Sequence, residues 1–342
     1  LVGAELCIRD SENVMFKALI FNKKVDEIAT GNVNEINESE LPQGDVLVKI
    51  EYSTINYKDG LAITSKSPIM KNFPMVPGID FAGIVEESSN EKYKAGDKVL
   101  LNGYGIGEKH WGGYSEKARV NGNWLVKLPD TLTTKQSMAI GTAGYTAMLC
   151  VLAIEDHGIK PDDGVILVSG ASGGVGSVAI SLLSDLGYNV EASTGRLEET
   201  SYLNKLGAKT VIERSELSEP SRPLGKERWA GAIDSVCSTT LANILAQVSY
   251  GGAVSACGLA QGMDLPSTVM PFILRGVSLL GIDSVMAPMQ LRERAWKRLS
   301  ENININKLEE MTIDTSLEQV EVLASDILKG KVRGRVIVNI SE

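Results

Sequence analysis

The chain has 342 residues, 43% of them hydrophobic and 23% charged, with a formal net charge of −9. That balance is globular and excludes a disordered chain, a coiled coil and a collagen-like fibre; at ~100–200 residues per domain the length predicts two domains. An acidic surface repels phosphate backbones, so no nucleic-acid partner is expected.

Residues 1–14 precede Met15 and a strand-like segment at 16–21, and they are read as an upstream extension, with a surface arm as the alternative. They lack a basic segment ahead of an apolar core, so no signal peptide is expected. From about 16 to 130 the pattern is strands and turns. Residues 46–50 are β-rich and follow the turn residues Pro42 to Asp45; 82–85 and 98–101 follow. Gly103, Gly105, Gly107, Gly112 and Gly113 mark a long loop, and 115–120 and 124–128 read as further short strands.

From about 140 to 284 strands and helices alternate. Residues 165–168 are a compact apolar run suited to a strand buried on both faces. Val178, Ile180, Leu182, Leu183 and Leu186 have helical spacing, with Gly187 as the stop. A strand at 190–193, a helix at 198–206 and a strand at 210–212 come next. Strands at 233–236 and 253–256 flank a helix at 241–248. Repeated β-α-β units predict a doubly wound parallel sheet. The tail adds a helix near 318–328 and a strand at 335–340. No run of ~18 apolar residues is found, so no membrane span is expected. The 4 Cys are scattered and the 2 His isolated. No zinc cluster or disulfide framework follows from them, which fits a reducing compartment and makes the cytoplasm the expected location.

The strongest motif is Gly170-Ala171-Ser172-Gly173-Gly174-Val175-Gly176, which follows an apolar strand and opens a helix. In the pattern GxGxxG, Ala171 stands at the first position and Gly173 and Gly176 at the second and third. Strand, loop and helix in this order are the setting for dinucleotide binding. Small residues let backbone N–H groups approach a pyrophosphate, and the helix start adds partial positive charge. The end of the next strand selects the cofactor. An NAD site places Asp or Glu there for the ribose 2′-hydroxyl. Here Ser193 and Thr194 end the strand, and Gly195 and Arg196 follow. A guanidinium suits a 2′-phosphate, and a hydrogen bond to a charged group contributes ~1.5–3 kcal/mol, so NADPH is expected. Glu191 is the rival, but it falls inside the expected strand. Arg214 is either a second phosphate contact or a solvated surface residue.

Asn56-Tyr57-Lys58-Asp59 and the segments 73–83, 141–146, 171–176, 193–196 and 271–275 together resemble the zinc-free, quinone-oxidoreductase branch of the medium-chain dehydrogenase/reductases, and most of all its acrylyl-CoA reductase group. The resemblance runs from Phe16 onward. It implies an α/β fold with two interleaved domains and a homodimer. One is a Rossmann doubly wound parallel sheet that binds NADP, at 140–285. The other is a GroES-like β-rich catalytic domain at 15–139, completed by 286–342. Zinc-dependent relatives carry Cys at the place of Asn56, Gly-His-Glu at the place of Gly78-Ile79-Asp80 and a third ligand near Thr142, so no metal is expected.

Without a Lewis acid, hydride transfer needs a conjugated acceptor. The expected reaction is NADPH-dependent reduction of an activated C=C bond, acrylyl-CoA to propionyl-CoA, with hydrogen-bond donors at the developing enolate oxygen. A quinone or general enone reductase is the alternative, and a non-catalytic NADPH-binding protein a third. The small-molecule substrate is thus an enoyl thioester, enone or quinone.

The resemblance assigns catalytic roles to Tyr57 (hydroxyl toward the substrate carbonyl), Asn56 (enolate donor) and Asp59 (loop acceptor or direct participant). Cofactor contacts are expected from Tyr57, Thr142, Thr146, Ser172, Gly173, Gly174, Val175, Gly176, Ser193, Thr194, Gly195, Arg196 and Arg214. Leu259, Ile273 and Ser284 would line the nicotinamide side, with a core role as the alternative for the two apolar residues. Arg335, in the basic signature Arg333-Gly334-Arg335, would reach a phosphate or the substrate. Arg222, Lys226 and Arg228 form a candidate cluster for the CoA phosphates or an ordinary solvated loop.

Overall fold

The structure, a computed structural model, describes residues 14–341. The expected extension lies outside them except for Val14. Strands β1 (Met15–Asn22) and β2 (Thr30–Asn37) form an antiparallel ribbon. Then come β3 (Val46–Thr54), α1 (Tyr57–Ile63), β4 (Asp80–Ser88), β5 (Lys98–Asn102), β6 (Lys117–Val120) and β7 (Val126–Lys127). The strand expected at 115–120 starts later, and the one at 124–128 shrinks to two residues after a 3₁₀ turn at Gly122–Trp124.

Helix α2 (Thr134–His157) was not foreseen from the sequence. It is buried nearly all round, so it has no polar stripe to set against an apolar one. Thr133 and Gln136 form its capping box, and Gly158 ends it in the left-handed conformation. It is long and apolar enough to cross a membrane, with mean hydropathy 1.7, but 89% of that window is buried inside the protein. Small polar residues such as Thr142 and Thr146 had broken the apolar run on paper.

The alternating region gives β8 (Val165–Val168), α3 (Gly174–Asp185), β9 (Asn189–Thr194), α4 (Thr200–Leu206), β10 (Thr210–Glu213), α5 (Ser215–Ser218), β11 (Trp229–Asp234), α6 (Ser238–Gln247), β12 (Val248–Ala256), α7 (Met270–Arg275) and β13 (Ser278–Gly281). Its six strands lie in the order β10-β9-β8-β11-β12-β13, all parallel. The order reverses between β8 and β11, and the crevice beyond the carboxyl ends of such strands is where ligands bind. The expected strand at 233–236 ends earlier, because the Asp234 carboxylate turns the chain by accepting from Val236 N and Cys237 N.

The tail supplies α8 (Met289–Asn302), α9 (Ile305–Glu310), β14 (Thr312–Ser316), α10 (Val320–Leu328) and β15 (Arg335–Asn339). β14 and β15 join the sheet of β3, giving seven strands drawn from both ends of the chain. Shifts of register along β3 and β4 bend that sheet. Helices α8 and α9 pack instead on α2, where Ala295, Trp296, Leu299 and Leu308 join the core of the parallel sheet. The α/β class is therefore a Rossmann sheet beside a GroES-like β-rich unit.

Candidate active site

Where β3 gives way to α1, the sequence sets Asn56 at the N-cap and Asp59 in the first turn, a reciprocal capping pair. Asp59 is 0% exposed. Its Oδ2 accepts from Asn56 N (2.8 Å) and Asn56 Nδ2 (3.0 Å), and its Oδ1 from Ile79 N (3.1 Å). Asn56 Nδ2 also faces Thr54 Oγ1 (2.8 Å) and Asp80 Oδ2 (3.1 Å). Thr54 Oγ1 donates to Asp80 Oδ1 at 2.6 Å. Burial first, and then the Asp80 carboxylate, push Asp59 up to about 7. The Tyr114 hydroxyl donates to Thr54 O at 2.8 Å, and burial holds it well above the usual phenol range.

Two distant pieces close this cluster. Gly141 breaks α2 with φ 55°. A Cβ there would fall 2.2 Å from Arg335 Nη2 and 3.0 Å from Thr54 Cγ2, so only glycine fits. At the kink Thr142 N donates to Asp80 Oδ2 (2.8 Å) and Ala139 O accepts from Arg335 Nε (2.9 Å). Arg335 is 2% exposed, and its Nη1 reaches Asn56 Oδ1 at 3.3 Å. A buried cation thus stands beside two buried carboxyl groups, which is how such charges are tolerated.

Across the crevice, β8 runs into the glycine loop and α3 starts at Gly174. A Cβ on Gly176 would lie 2.3 Å from Gly170 O, so the loop and the helix pack with no space for a side chain. The first N–H groups of α3 have no partner within the helix, an arrangement that suits an anion. Ser172 Oγ lies 3.2 Å from Thr194 Oγ1 and accepts from Arg196 Nη2 at 3.1 Å. Arg196 N donates to Thr194 Oγ1 (3.1 Å). The Arg214 guanidinium lies over Gly195, where a Cβ would be 2.7 Å from its Cζ. Two hydroxyls and two guanidinium groups therefore converge just past β9. Glu191 is inside β9 and engaged elsewhere, accepting from Trp229 Nε1 (2.7 Å), Thr210 Oγ1 (2.9 Å) and Arg228 Nη2 (3.3 Å).

Residues 42–130 match the family described as Alcohol dehydrogenase GroES-like domain, and 174–301 the family described as Zinc-binding dehydrogenase. Acrylyl-CoA reductase AcuI of Ruegeria pomeroyi is 52% identical, over 96% of this chain and 100% of that protein. The chain belongs to the medium-chain dehydrogenase/reductases, in their acrylyl-CoA reductase group. The solved structure of Escherichia coli K-12 YhdH with bound NADPH has a TM-score of 0.92 at 51% identity, covering 94% of this chain and 99% of that one. Bacillus subtilis YhfP with NAD bound gives a TM-score of 0.91 at 43% identity, covering 95% and 99%.

The metal implied by the second family's description does not fit this member. Asn56, Asp80 and Thr142 occupy the expected ligand positions, and each is already bound into the cluster with the Arg335 guanidinium at its side. Among the described residues no group of three or more His, Cys, Asp or Glu is placed to hold a metal ion.

Several expectations about side chains need correction. Asn56 is no free donor, because its amide hydrogens are surrounded by three acceptors. Arg335 is buried beside the polar cluster instead of lying at the surface, and its Nη1 also borders the start of α3, where a Cβ on Gly174 would lie 2.9 Å away. Leu259 and Ile273 are not core residues, being 56% and 74% exposed. Arg228 pairs with Glu191 and Glu216 and lies on the Trp229 ring. The loop of Arg222, Lys226 and Arg228 bonds to the end of α6 through Gly225 N and Arg228 N. That puts it at the amino edge of the sheet, opposite the glycine loop.

Tyr57, at 42% exposed, is the first residue of α1, directly after the N-cap Asn56 of the cluster. Thr142 and Thr146 are buried just past the kink, with Thr146 Oγ1 donating to Thr142 O at 2.7 Å. Gly173, Gly174 and Val175 are half-buried at the start of α3, Ser193 is buried at the end of β9, and Ser284 is half-buried beyond β13. The sequence reading gave no role to Thr54, Asn102 or Tyr114, and noted Asp80 only as a substituted zinc ligand. An acid at the first residue of a buried strand was the available signal for Asp80.

Proposed function

We propose that the protein is an NADPH-dependent reductase of activated C=C bonds, converting acrylyl-CoA to propionyl-CoA without a metal. The observation that carries this is the filling of the family's metal position by the Asn56–Asp59–Asp80–Arg335 cluster. With Asn56, Asp80 and Thr142 standing where the family's metal ligands would be, and bound to one another or to their neighbours, the protein offers no Lewis acid, so its substrate must supply its own electron sink. The full-length likeness to an acrylyl-CoA reductase supports the thioester over other conjugated acceptors.

NADPH, when bound, supplies the hydride for the β-carbon, and water supplies the proton that the α-carbon of the resulting enolate takes up. The α3 N–H groups hold its pyrophosphate, and Ser172, Thr194, Arg196 and Arg214 hold the 2′-phosphate. The B. subtilis relative was solved with NAD, so the choice of NADPH rests on those residues of this chain. Thr142, Thr146, Leu259, Ile273 and Ser284 line the remaining cofactor cleft. The Tyr57 hydroxyl donates to the thioester carbonyl, stabilising negative charge on that oxygen. Asn56, Asp59 and Arg335 act on the reaction indirectly, by fixing the start of α1 and so the direction of Tyr57.

We further take the parallel-sheet unit, with α8 and α9 packed on its core, as the cofactor domain and the seven-stranded unit as the catalytic domain, a division of the tail that differs from the expected 286–342, and we place the enzyme in the cytoplasm as a homodimer. Among the described residues β13 has no strand on its outer edge, and the exposed Met263, Val269, Ile273 and Leu274 lie in the segment leading to it. A second copy would cover that edge; a single-chain mass by light scattering would sink the dimer.

The function is tested by following NADPH absorbance with acrylyl-CoA, a simple quinone and buffer alone. Turnover of acrylyl-CoA is expected. Fast quinone turnover with acrylyl-CoA inert would move the assignment to quinone reduction, and no turnover with any acceptor would favour a binding protein.

A further inference from the structure

A cation with no acid beside it is buried between the two sheets. Arg292, on α8, is 1% exposed. Among the described residues no carboxylate forms an ion pair with it. Its guanidinium donates to main-chain carbonyls instead: Nε to Ala287 O (2.8 Å), Nη2 to Val285 O (2.6 Å) and Ser284 O (3.2 Å), and Nη1 to Asn102 O. Its Cζ lies 3.7 Å from the centre of the Tyr104 ring. Carbonyl dipoles and a ring face thus replace the water that a buried cation loses.

The acceptors define a joint. Ser284, Val285 and Ala287 belong to the short segment that carries the chain from β13 to α8, while Asn102 ends β5 in the other sheet. The same joint holds Tyr104, whose N donates to Val285 O (2.8 Å) and whose hydroxyl donates to Ala287 O (2.9 Å). Asn102 then leads into the cleft. Its Oδ1 accepts from Trp296 Nε1 (3.1 Å), also on α8, and its Nδ2 donates to Thr142 Oγ1 (3.2 Å). Thr142 N is bonded to Asp80 in the polar cluster. From Arg292 the path to the cleft therefore runs through Asn102 and Thr142 without a gap.

We infer that Arg292 is a positioning residue: it sets where Ser284 and Thr142, the two sides of the cofactor cleft nearest the joint, stand relative to the glycine loop. This rests on the NADPH-reductase reading. A guanidinium is required because its donors point in fixed, divergent directions, whereas the ammonium of Lys is a point charge that cannot serve carbonyls on both sides.

The test uses the full chain as wild type, Arg292→Met, Arg292→Lys and Arg298→Met. The last, also on α8, breaks an ion pair with Glu155 of α2, at 2.8 Å, without touching the joint. Thermal midpoint, NADPH affinity by fluorescence titration, and kcat and KM are measured well below every midpoint. Arg292→Met is expected to weaken NADPH binding about tenfold and to lower kcat, since a small misplacement at a cleft is costly. Arg292→Lys should recover the midpoint more than the affinity, and Arg298→Met should lower the midpoint alone. Wild-type affinity, KM and kcat in Arg292→Met overturn the inference whatever its midpoint. If that variant does not fold, the same values in Arg292→Lys overturn it. Failure of the wild type to bind NADPH removes the functional reading and this inference together; normal binding by wild type and both Arg292 variants removes this inference alone.

Discussion

On one side of the cleft, the glycine loop and the end of β9 present backbone amides, hydroxyls and guanidinium groups outward. On the other, Thr54, Asn56, Asp59, Asp80 and Arg335 turn their polar groups on one another. The first is joined only by a few bonds among neutral hydroxyls and half-exposed guanidinium groups, and it holds no buried carboxyl group. The second is one interlocked unit in which removing a member strands the rest. Substitutions on the two sides should therefore be read by different measurements, affinity on the first and stability on the second.

The largest effect is expected from Arg335→Met. It leaves Asp59 and Asp80 buried without their cation, and the loss should be about 3–5 kcal/mol in denaturant unfolding. A change under ~1 kcal/mol would break the contrast, since that is the scale of an exposed ion pair. Next comes pH. Burial and the neighbouring Asp80 push Asp59 up to about 7 in the folded protein, well above the ordinary carboxylate range, so the folded state holds a proton that the unfolded state releases. The stabilising effect is complete below about 4 and is lost as pH rises toward 7. Comparing wild type with Asp59→Asn across that range should show the wild-type slope falling with pH and the variant's slope flatter; parallel curves would remove Asp59 from the account.

Arg196→Ala should act through affinity alone. Loss of a charge-assisted hydrogen bond of ~1.5–3 kcal/mol predicts roughly a tenfold or greater fall in preference for NADPH over NADH, with unfolding unchanged. Wild-type preference for NADH would undo the phosphate argument. The smallest expected effect is none: dialysis against a chelator should leave the rate as it was, and loss of activity restored by zinc would show that the Asn56 cluster had been misjudged.

The same contrast explains what could be read from the sequence. The glycine loop, α3 and the end of β9 are continuous in the chain, so Ser172, Gly176 and Arg196 carry their setting with them. The polar cluster joins residues near 54–59, 80, 141 and 335, and only folding makes them neighbours. Asn56 looked like a donor because its type was visible and its three acceptors were not. Arg335 reads as a phosphate or substrate contact from its basic run Arg333-Gly334-Arg335, because the buried carboxyl groups beside it come from distant parts of the chain. Arg292 lay in no motif at all. Helix α2 escaped because burial on every side erased the periodicity by which helices are recognised.

That helix belongs to both halves of the molecule. Its first turns touch the seven-stranded sheet, where Thr134 Oγ1 donates to Glu51 Oε2 at 2.5 Å, and after the Gly141 kink it runs into the core of the parallel sheet. The spacing of the cleft walls is consequently written in a residue count. One residue inserted between Thr142 and Thr146 would turn everything beyond it by about 100°, rotating one wall against the other while both sheets kept their strands. Loops elsewhere in the chain can lengthen freely, but α2 works as a ruler whose length cannot change.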